Sequence, residues 1–392
     1  RKFNSCCFLS FFTLACLLVE NMSVVISGTG IYTPEQRISN KELVESYNLY
    51  ADSYNQEHSK AIAEGTLEAL THSDEDFIKK VSGIESRFVL DKEGILDPNR
   101  MKPLLRERSN EEPSIQAEIA VSACLEAIEN ANKKIEDIDA VICACANLQR
   151  AYPAVAIEIQ NLLGIEGYAY DMNVACSSST FGIQNAVSDI KSGLAQSVLV
   201  VSPEICSGHL NFKDRDGHFI FGDVCTALLL ERENKSTNEG FKILDTKLKT
   251  VFSNNIRNNF GFLNQAENSD LNSPDKLFIQ EGRKVFKQVV PIVSGLIQEQ
   301  LKRNNIDIND VSRFWIHQAN LSMNQLIARK LLGRDPTAKE MPIILNEYAN
   351  TSSAGSIIAF HKNHDDLEEN DIGVICSFGA GYSVGSIIVQ KI

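Results

Sequence analysis

The sequence predicts a layered α/β fold built from two related halves. Apolar runs of strand length alternate with helical patterns along the chain, which is typical of helices packed on β-sheets. The second half also repeats the first: IEDIDAVICACANLQ from Ile135 is echoed by INDVSRFWIHQANLS from Ile308, and each segment runs through a helical pattern to Leu-Leu-Gly, ending at Gly164 and Gly333. Because the repeat recurs about half a chain later, it favours a duplicated α/β unit.

The composition fits a globular enzyme or binding protein. The chain has 392 residues, of which 43% are hydrophobic and 23% charged, and this length can bury large cores. A formal net charge of -13 opposes a general nucleic-acid surface, because phosphate binding needs a basic face. The ten cysteines show neither the paired spacing of a zinc site nor the density of a disulfide framework. We therefore expect a cytoplasmic protein with free thiols, no metal, and neither nucleic acid nor membrane as a partner.

Residues 1–21 are considered separately from the fold. Two basic residues precede an apolar run over residues 6–19, as in a secretory signal peptide. The run is short for a membrane span, and no small-x-small cleavage signal precedes Met22. We expect Met22 to be the start of the protein and residues 1–21 to be translated upstream sequence, with an export signal as the alternative.

The predicted elements of the first half begin and end with buried strands. The opening strand, residues 23–31, leads into a Gly-Thr-Gly turn that has neither the Lys-Ser/Thr ending of a phosphate loop nor a GxGxxG pattern. Residues 41–113 are polar and rich in helical patterns, which indicates solvated faces and surface insertions. The elements predicted after them are a helix at 114–131, the strand AVICACA, a helix at 154–163, a strand at 168–174, a helix ending at Gly193, a strand at 197–201 and a strand from 219.

Cys176 stands at the junction between the strand 168–174 and the helix that follows it. A thiol at this place faces unsatisfied backbone N–H groups and the positive end of the helix dipole, both of which favour the thiolate. We therefore predict that Cys176 is a nucleophile. The alternative is a buried structural cysteine, since free cysteines are among the most buried residues.

His317 and Asn350 are the other candidates for catalysis, and both belong to the second half. Of the seven histidines, His317 is the one embedded at the end of an apolar strand, before a helix for which Ser322 and Gln325 fit a capping box. Asn350 lies in a small polar loop that opens an apolar helix from Ile357. Taken singly, such a histidine is most often structural and such an asparagine is most often a helix cap. Together with the cysteine, they form a stronger candidate set than each residue alone.

Cysteine, histidine and asparagine in this order also occur in papain-like proteases, so a cysteine hydrolase is a competing class. The local sequence opposes this class. The signature around a papain cysteine is absent, and Cys176 lies mid-chain rather than near a mature N-terminus.

Four motifs resemble β-ketoacyl-acyl-carrier-protein synthase III and its relatives in the thiolase superfamily: VACSSSTFG, IHQANL, YANTSSAGS and the closing SFGAGYSVG. They occur in the family's order, and the resemblance covers nearly all of residues 24–392. It implies an α/β, thiolase-like five-layered fold (αβαβα) with duplicated βαβαβαββ halves, at residues 22–240 and 241–392, and a homodimer. The internal repeat supports this duplication independently.

The resemblance implies a decarboxylating condensation. Cys176 would take an acyl group from acyl-CoA or acyl-carrier protein, in an oxyanion hole made by the backbone N–H groups of Cys176 and Gly381. Malonyl-acyl-carrier protein would then lose CO₂, and His317 Nε2 and the Asn350 amide would hold the enolate oxygen. The product would be a β-ketoacyl thioester for fatty acid or related secondary-metabolite synthesis, formed without a metal or redox cofactor.

The resemblance also implies roles for residues outside this set. Tyr152, before Pro153, matches an aromatic residue that reaches the partner's acyl pocket across the dimer; the alternative is a core aromatic beside a turn proline. Phe77 and Arg283 match the coenzyme A and pantetheine cleft. The residues that match carrier-protein docking positions, with ordinary solvated side chains as the alternative, are Lys287, Arg329 and Lys330.

Departures from the family pattern concern the substrate. Phe77 stands in place of the family's tryptophan, Val81 in place of a basic residue and Ser322 in place of an arginine, and insertions lie between residues 40 and 114. These differences favour a specialised branch that takes medium-chain acyl groups or builds a secondary metabolite. Two alternatives stay open: a thiolase-fold acyltransferase or thioesterase that uses Cys176 without condensation, and a non-catalytic partner subunit, which a complete Cys/His/Asn set opposes.

Overall fold

The computed structural model describes residues 23–236 and 239–392, so the predicted leader lies outside it. The strands are β1 (Val24–Tyr32), β2 (Gln36–Ser39), β3 (Ser86–Val89), β4 (Ala140–Ala144), β5 (Tyr168–Met172), β6 (Ser197–Ile205), β7 (Asp223–Arg232), β8 (Phe241–Thr250), β9 (Ile256–Arg257), β10 (Ile279–Gln280), β11 (Val311–Ile316), β12 (Ile372–Gly379) and β13 (Ser383–Lys391). The helices are α1 (Asn40–Glu57), α2 (Ser59–Ala63), α3 (Glu75–Ser82), α4 (Glu93–Leu96), α5 (Ile115–Asn130), α6 (Val155–Leu163), α7 (Ser178–Ser192), α8 (Gly282–Arg303), α9 (Leu321–Leu332), α10 (Leu345–Tyr348) and α11 (Gly355–Lys362). None of the helices in the described part of the chain has the length and apolar character that a membrane span needs.

Within the described residues, nine strands form one mixed sheet in the order β11-β12-β13-β8-β1-β7-β6-β4-β5. The first half supplies β1, β7, β6, β4 and β5, and the second half supplies β8, β13, β12 and β11. The halves meet where β1 pairs antiparallel with β8, through Val25–Lys242 and Ile26–Phe241. On either side of this seam the first strand of a half pairs antiparallel with its last strand, so the two orders mirror each other. The predicted duplication is confirmed, and the predicted boundary after residue 240 falls directly before β8.

In the large sheet formed by the described residues, the second half lacks one strand of the predicted βαβαβαββ order. The sheet of the first half ends with the parallel edge strand β5, which pairs with β4. At the equivalent edge of the second half, no further strand among the described residues pairs with β11. Instead, the Phe314 N–H donates to the Glu340 carbonyl at 2.7 Å. This bond joins the segment before α10 to the outer edge of β11.

Three apolar cores lie between the layers of helices and strands. In the middle, α7 and α11 pack between strands of both halves, and Ile183, Ile357 and Trp315 are buried in one core. Helices α5 and α6 cover the outer face of the first half, and α8 and α9 cover the outer face of the second half. The layer order is therefore αβαβα, as predicted.

Residues 36–101 form a cap with its own core rather than a set of solvated insertions. The strand pair β2–β3 and helices α1 to α4 enclose apolar side chains such as Ile38, Leu43 and Tyr47. The same core includes Phe219, which precedes β7. The expectation of surface insertions is therefore wrong for this segment, because α1 carries a buried stripe among its polar residues.

Two local predictions are corrected. The strand predicted as buried at 168–174 is β5, whose residues are only partly buried because the strand lies at the edge of the sheet. Helix α9 begins at Leu321 and is capped by Asn320, whose side chain accepts a hydrogen bond from the Met323 N–H at 3.2 Å. Ser322 therefore lies inside the helix, and the predicted capping box is wrong.

Candidate active site

Cys176 lies on the tight turn between β5 and α7, just before the helix begins at Ser178. Local hydrogen bonds hold this turn: the Ala175 N–H donates to Asn173 Oδ1 and the Val174 N–H donates to Ser178 Oγ, both at 2.9 Å. Ala175 has a φ of 49°, in the left-handed region that residues with a side chain rarely adopt. The thiol therefore stands at a strand-to-helix junction, where the sequence placed it.

The end of β12 approaches this turn closely. A Cβ atom built on Gly379 would lie 2.7 Å from Cys176 Cβ and 2.8 Å from Cys176 N, closer than real Cβ atoms come to their neighbours. Glycine is therefore required at residue 379. The close approach brings the turn that follows β12 beside Cys176.

Replacing Gly379 with alanine is expected to slow the predicted acylation of Cys176 by a factor on the order of a hundred, because a displacement of about 1 Å at a reacting atom can cost that much. The measurement is the rate of acyl-Cys176 formation by intact-protein mass spectrometry. Gly295→Ala is the matched control, since a Cβ there meets nothing within 4 Å. Wild-type acylation in the Gly379→Ala variant would show that the contact is not needed.

Burial raises the pKa of the Cys176 thiol to about 11. The negative charge of Glu204 raises the pKa further, whereas hydrogen bonds from Ser352 Oγ and from the backbone of Cys176 and Ala380 lower it. The start of α7 was predicted to favour the thiolate. The backbone donors do lower the pKa, in the direction of that prediction, but the loss of water around the buried thiol outweighs them.

The turn after β12 supplies a second main-chain group at the sulfur. This group is the backbone of Ala380, which interacts with Cys176. The predicted donor, Gly381, instead has a left-handed φ of 65°, with open space where its Cβ would be. Of the residues in this turn, Ala380 rather than Gly381 therefore interacts with the Cys176 sulfur, while the oxyanion hole itself stays a prediction.

His317 follows β11 and is almost fully buried. Its backbone N–H donates to the Cys376 carbonyl at 2.8 Å, and this bond extends the pairing of β11 with β12 by one residue. Its ring packs edge-to-face against Phe378, with 5.0 Å between the centroids. Burial lowers the pKa of His317 to about 4, so the imidazole is neutral at physiological pH.

Asn350 lies on the loop between α10 and α11, where backbone bonds fix it to the chain before β7. Its N–H donates to the Ile220 carbonyl at 2.9 Å, and its carbonyl accepts from the Gly222 N–H at 3.1 Å. Its side-chain Oδ1 accepts from the Ser352 N–H at 2.9 Å. This bond leaves the amide nitrogen as the group that Asn350 can offer to a ligand.

One cavity of about 570 Å³ is lined by Cys176, His317 and Asn350 together. The structure therefore brings the predicted catalytic residues of both halves into a single chamber. Its walls are largely apolar, and the main apolar side chains are Phe219, Phe221, Phe278, Phe286, Val289 and Phe378. Among the described residues, no group of three or more His, Cys, Asp or Glu side chains is placed to hold a metal ion.

Comparison with known proteins assigns the family. A family model for 3-oxoacyl-[acyl-carrier-protein] synthase III matches residues 170–251, and the model for its C-terminal part matches residues 301–391. The chain is 61% identical over 349 residues to the β-ketodecanoyl-[acyl-carrier-protein] synthase of Pseudomonas aeruginosa, covering 89% of this chain and 100% of that one. It is 30% identical over 277 residues to a β-ketoacyl-[acyl-carrier-protein] synthase III of Ehrlichia ruminantium, covering 70% and 83%. The chain belongs to the β-ketoacyl-acyl-carrier-protein synthase III family.

Solved structures of other proteins have the same fold as this chain. The 3-oxoacyl-[acyl-carrier-protein] synthase III of Aquifex aeolicus superposes with a TM-score of 0.73 at 23% identity, covering 94% of this chain and 99% of that one. The priming β-ketosynthase of the R1128 polyketide biosynthetic pathway gives a TM-score of 0.72 at 20% identity, covering 94% and 96%. At these identities the likeness establishes the fold alone.

The two residues predicted for the coenzyme A cleft of this family member lie in different places. Arg283 lines the cavity and is exposed at the start of α8. Phe77 does not line the cavity; its ring packs edge-to-face against Phe219, and the Arg215 guanidinium lies 4.4 Å from the Phe77 ring centroid. Sequence reasoning missed Arg215, because an arginine in the charged run KDRDG looks like any solvated side chain.

The remaining predicted residues lie on the surface. Lys287 is exposed on α8, and Arg329 and Lys330 are exposed at the end of the neighbouring helix α9. Arg329 pairs with Asp335 rather than standing as an isolated cation. Tyr152 has 84% of its surface exposed and does not line the cavity of its own chain. The alternative of a core aromatic is therefore wrong for Tyr152.

Proposed function

We propose that the protein catalyses a decarboxylating condensation of the β-ketoacyl-acyl-carrier-protein synthase III type. An acyl thioester acylates Cys176, and malonyl-acyl-carrier protein then extends the acyl group to a β-ketoacyl thioester. The observation that carries this proposal is the meeting of Cys176, His317 and Asn350 at one cavity in a member of the family. The first step makes the enzyme an acyltransferase, and neither step uses a metal or a redox cofactor.

The first half-reaction is thioester exchange. Cys176 Sγ bonds to the acyl carbon, the bond from that carbon to the donor's sulfur breaks, and the proton lost by Cys176 ends on the departing thiol. Negative charge develops on the carbonyl oxygen during the attack. The N–H groups of Cys176 and Ala380 are the proposed donors to this oxygen, because both interact with the reacting sulfur.

The second half-reaction forms the carbon–carbon bond. Loss of CO₂ from the malonyl thioester leaves an enolate, whose carbon attacks the acyl carbon and displaces Cys176 Sγ. Neutral donors suit the enolate oxygen, because they stabilise the charge without surrendering a proton to the carbanion. His317, which burial keeps neutral, and the Asn350 amide nitrogen are the proposed donors.

The proposed acyl group has eight carbons. The Pseudomonas aeruginosa relative is named for a β-ketodecanoyl product, and malonyl condensation supplies two of the ten carbons of such a product. The apolar walls of the cavity suit a medium-length chain, as the departures in the sequence predicted. Coenzyme A and acyl carrier protein present the same phosphopantetheine arm, and Arg283 at the cavity supplies a cation for its phosphate.

A panel of acyl-coenzyme A thioesters with malonyl-acyl-carrier protein tests this function. Octanoyl donors are expected to exceed acetyl in kcat/KM by about a hundredfold or more, because each buried methylene contributes about 0.8 kcal/mol. Products and the Cys176 adduct are measured by mass spectrometry. A preference for acetyl would contradict the chain length alone. Acyl-Cys176 without a ketoacyl product would replace the condensation with acyl transfer or hydrolysis, and the absence of both would favour a non-catalytic subunit.

The proposed assembly is a cytoplasmic homodimer that docks acyl carrier protein. Edge strand β5 is only partly buried and Tyr152 is largely exposed, which supports a second copy at this edge. Lys287, Arg329 and Lys330 lie on adjoining helices, where they could meet an acidic carrier. A reducing compartment is supported by the free thiols of all seven cysteines in the described part of the chain.

A further inference from the structure

Ser352 lies between the nucleophile and Asn350. Its hydroxyl donates a hydrogen bond to Cys176 Sγ at 3.4 Å, and its N–H donates to Asn350 Oδ1 at 2.9 Å. The side chain is buried, with 2% of the residue exposed. The hydroxyl therefore contacts the atom that reacts, on a residue that the sequence did not single out.

The backbone of Ser352 is held in an unfavourable conformation. Its φ of 51° lies in the left-handed region, which a serine adopts at a cost on the order of 1–3 kcal/mol unless its surroundings impose it. Those surroundings are the hydrogen bonds of the next residue, Ser353. Its N–H donates to Glu204 Oε1 at 3.2 Å, its hydroxyl donates to the same oxygen, and its carbonyl accepts from Ser179 Oγ at 2.7 Å. Bonds between the two halves of the chain thus hold the backbone next to Ser352 in place.

The thiolate of Cys176 has few other sources of stabilisation. The titratable groups near it are Glu204 on β6, Cys206 directly after β6, and His317 after β11. Glu204 and Cys206 repel a negative charge on sulfur when they are ionised. His317 is neutral at physiological pH, because burial lowers its pKa to about 4, so it does not form an ion pair with the thiolate. Hydrogen bonds must therefore stabilise the buried anion.

We propose that Ser352 is a catalytic residue of acyl loading, whose hydroxyl donates a hydrogen bond that stabilises the Cys176 thiolate. The role in loading rests on the function proposed above, whereas the bond to sulfur rests on geometry alone. Deprotonation leaves sulfur with a full charge and strengthens this bond. Once Sγ bonds to the acyl carbon, the thioester sulfur is a weak acceptor, so the hydroxyl contributes little to condensation.

The pH dependence of Cys176 alkylation by iodoacetamide tests the bond without any thioester. Ser352→Ala and Ser352→Gly both remove the hydroxyl, but glycine suits the φ of 51° and alanine does not. Both variants are expected to raise the apparent pKa of Cys176 by about one unit, and so to slow its alkylation about tenfold at pH 8. Peptide-level mass spectrometry follows Cys176 separately from the other cysteines. Ser356→Ala is the control, since the Ser356 hydroxyl bonds to Ser377 Oγ at 2.7 Å.

The outcomes show whether the Ser352 hydroxyl or the backbone conformation of its loop controls the reactivity of Cys176. An alkylation profile like that of the wild-type protein in both Ser352 variants overturns the proposal. A loss in Ser352→Ala that Ser352→Gly restores assigns the effect to backbone geometry and also overturns it. With octanoyl-coenzyme A, loading is expected to fall about tenfold, while condensation from pre-formed acyl-enzyme stays within about twofold of the wild type. If the Ser352 variants change the alkylation profile but the wild-type protein makes no ketoacyl product, the hydrogen bond to Cys176 is supported and the proposed function is rejected.

Discussion

Replacing Cys176 with alanine is expected to abolish acyl loading and to lower condensing activity by a factor on the order of 10⁴ or more, as for other enzymes that lose their nucleophile. Among the described residues, no other cysteine can replace Cys176 as the nucleophile, because the others are buried and do not line the cavity. The measurement combines the mass of the acylated protein with the rate of β-ketoacyl formation.

Cys124→Ala is the control for this experiment. Cys124 lies on the buried face of α5, in the outer core of the first half, and its removal should leave the mass of the adduct and the condensation rate unchanged. An adduct that persists in the Cys176→Ala variant would place the acyl group on another residue and would contradict the whole assignment of the site.

Replacing His317 with alanine is expected to leave acyl loading within a few-fold of the wild type and to reduce condensation by about 10² to 10³, the usual cost of losing a donor to a developing oxyanion. The separation follows from the charge state of the imidazole. Because burial keeps His317 neutral, it does not form an ion pair with Cys176, and its proposed role as a donor begins once the enolate forms. Single-turnover assays that resolve loading from condensation measure both effects.

His364→Ala is a matched control, because burial also lowers the pKa of His364 to about 4, yet this side chain lies away from the cavity. It should load and condense normally. Equal losses of loading and condensation in His317→Ala would show instead that His317 activates the thiol, in which case the role proposed for Ser352 would need to be shared with it.

The meeting of the candidate catalytic residues could be predicted because the main candidates follow patterns that are local in sequence. Cys176 stands where an apolar strand meets a helical pattern, and His317 stands at the end of a repeated strand. The duplicated fold was predictable for the same reason, since strands and helices leave periodic patterns. The sequence did not predict that Ala380, rather than Gly381, interacts with Cys176. A motif identifies the turn, but only the approach of Gly379 to the nucleophile decides which N–H reaches the sulfur.

Properties that depend on distant residues could not be predicted. The raised pKa of Cys176 results from burial by segments far along the chain, among them the strand that ends at Gly379. The Arg215–Phe77 contact joins two charged or polar stretches that each resemble solvated surface. The bond from Ser352 crosses between the halves, and no spacing within one half indicates it.

Among the described residues, β1 and β8 share two residue pairs, so the seam between the halves is closed mainly by the central layer of α7 and α11. The candidate catalytic residues lie near the starts of these same helices: Cys176 lies just before the Ser177 cap of α7, and the loop with Asn350 leads into α11. A slight loosening of the seam would therefore separate Cys176 from Asn350 while the strands within each half remained paired. Enzyme activity should therefore depend closely on how well the two halves pack together. On heating or in denaturant, activity should be lost before secondary structure.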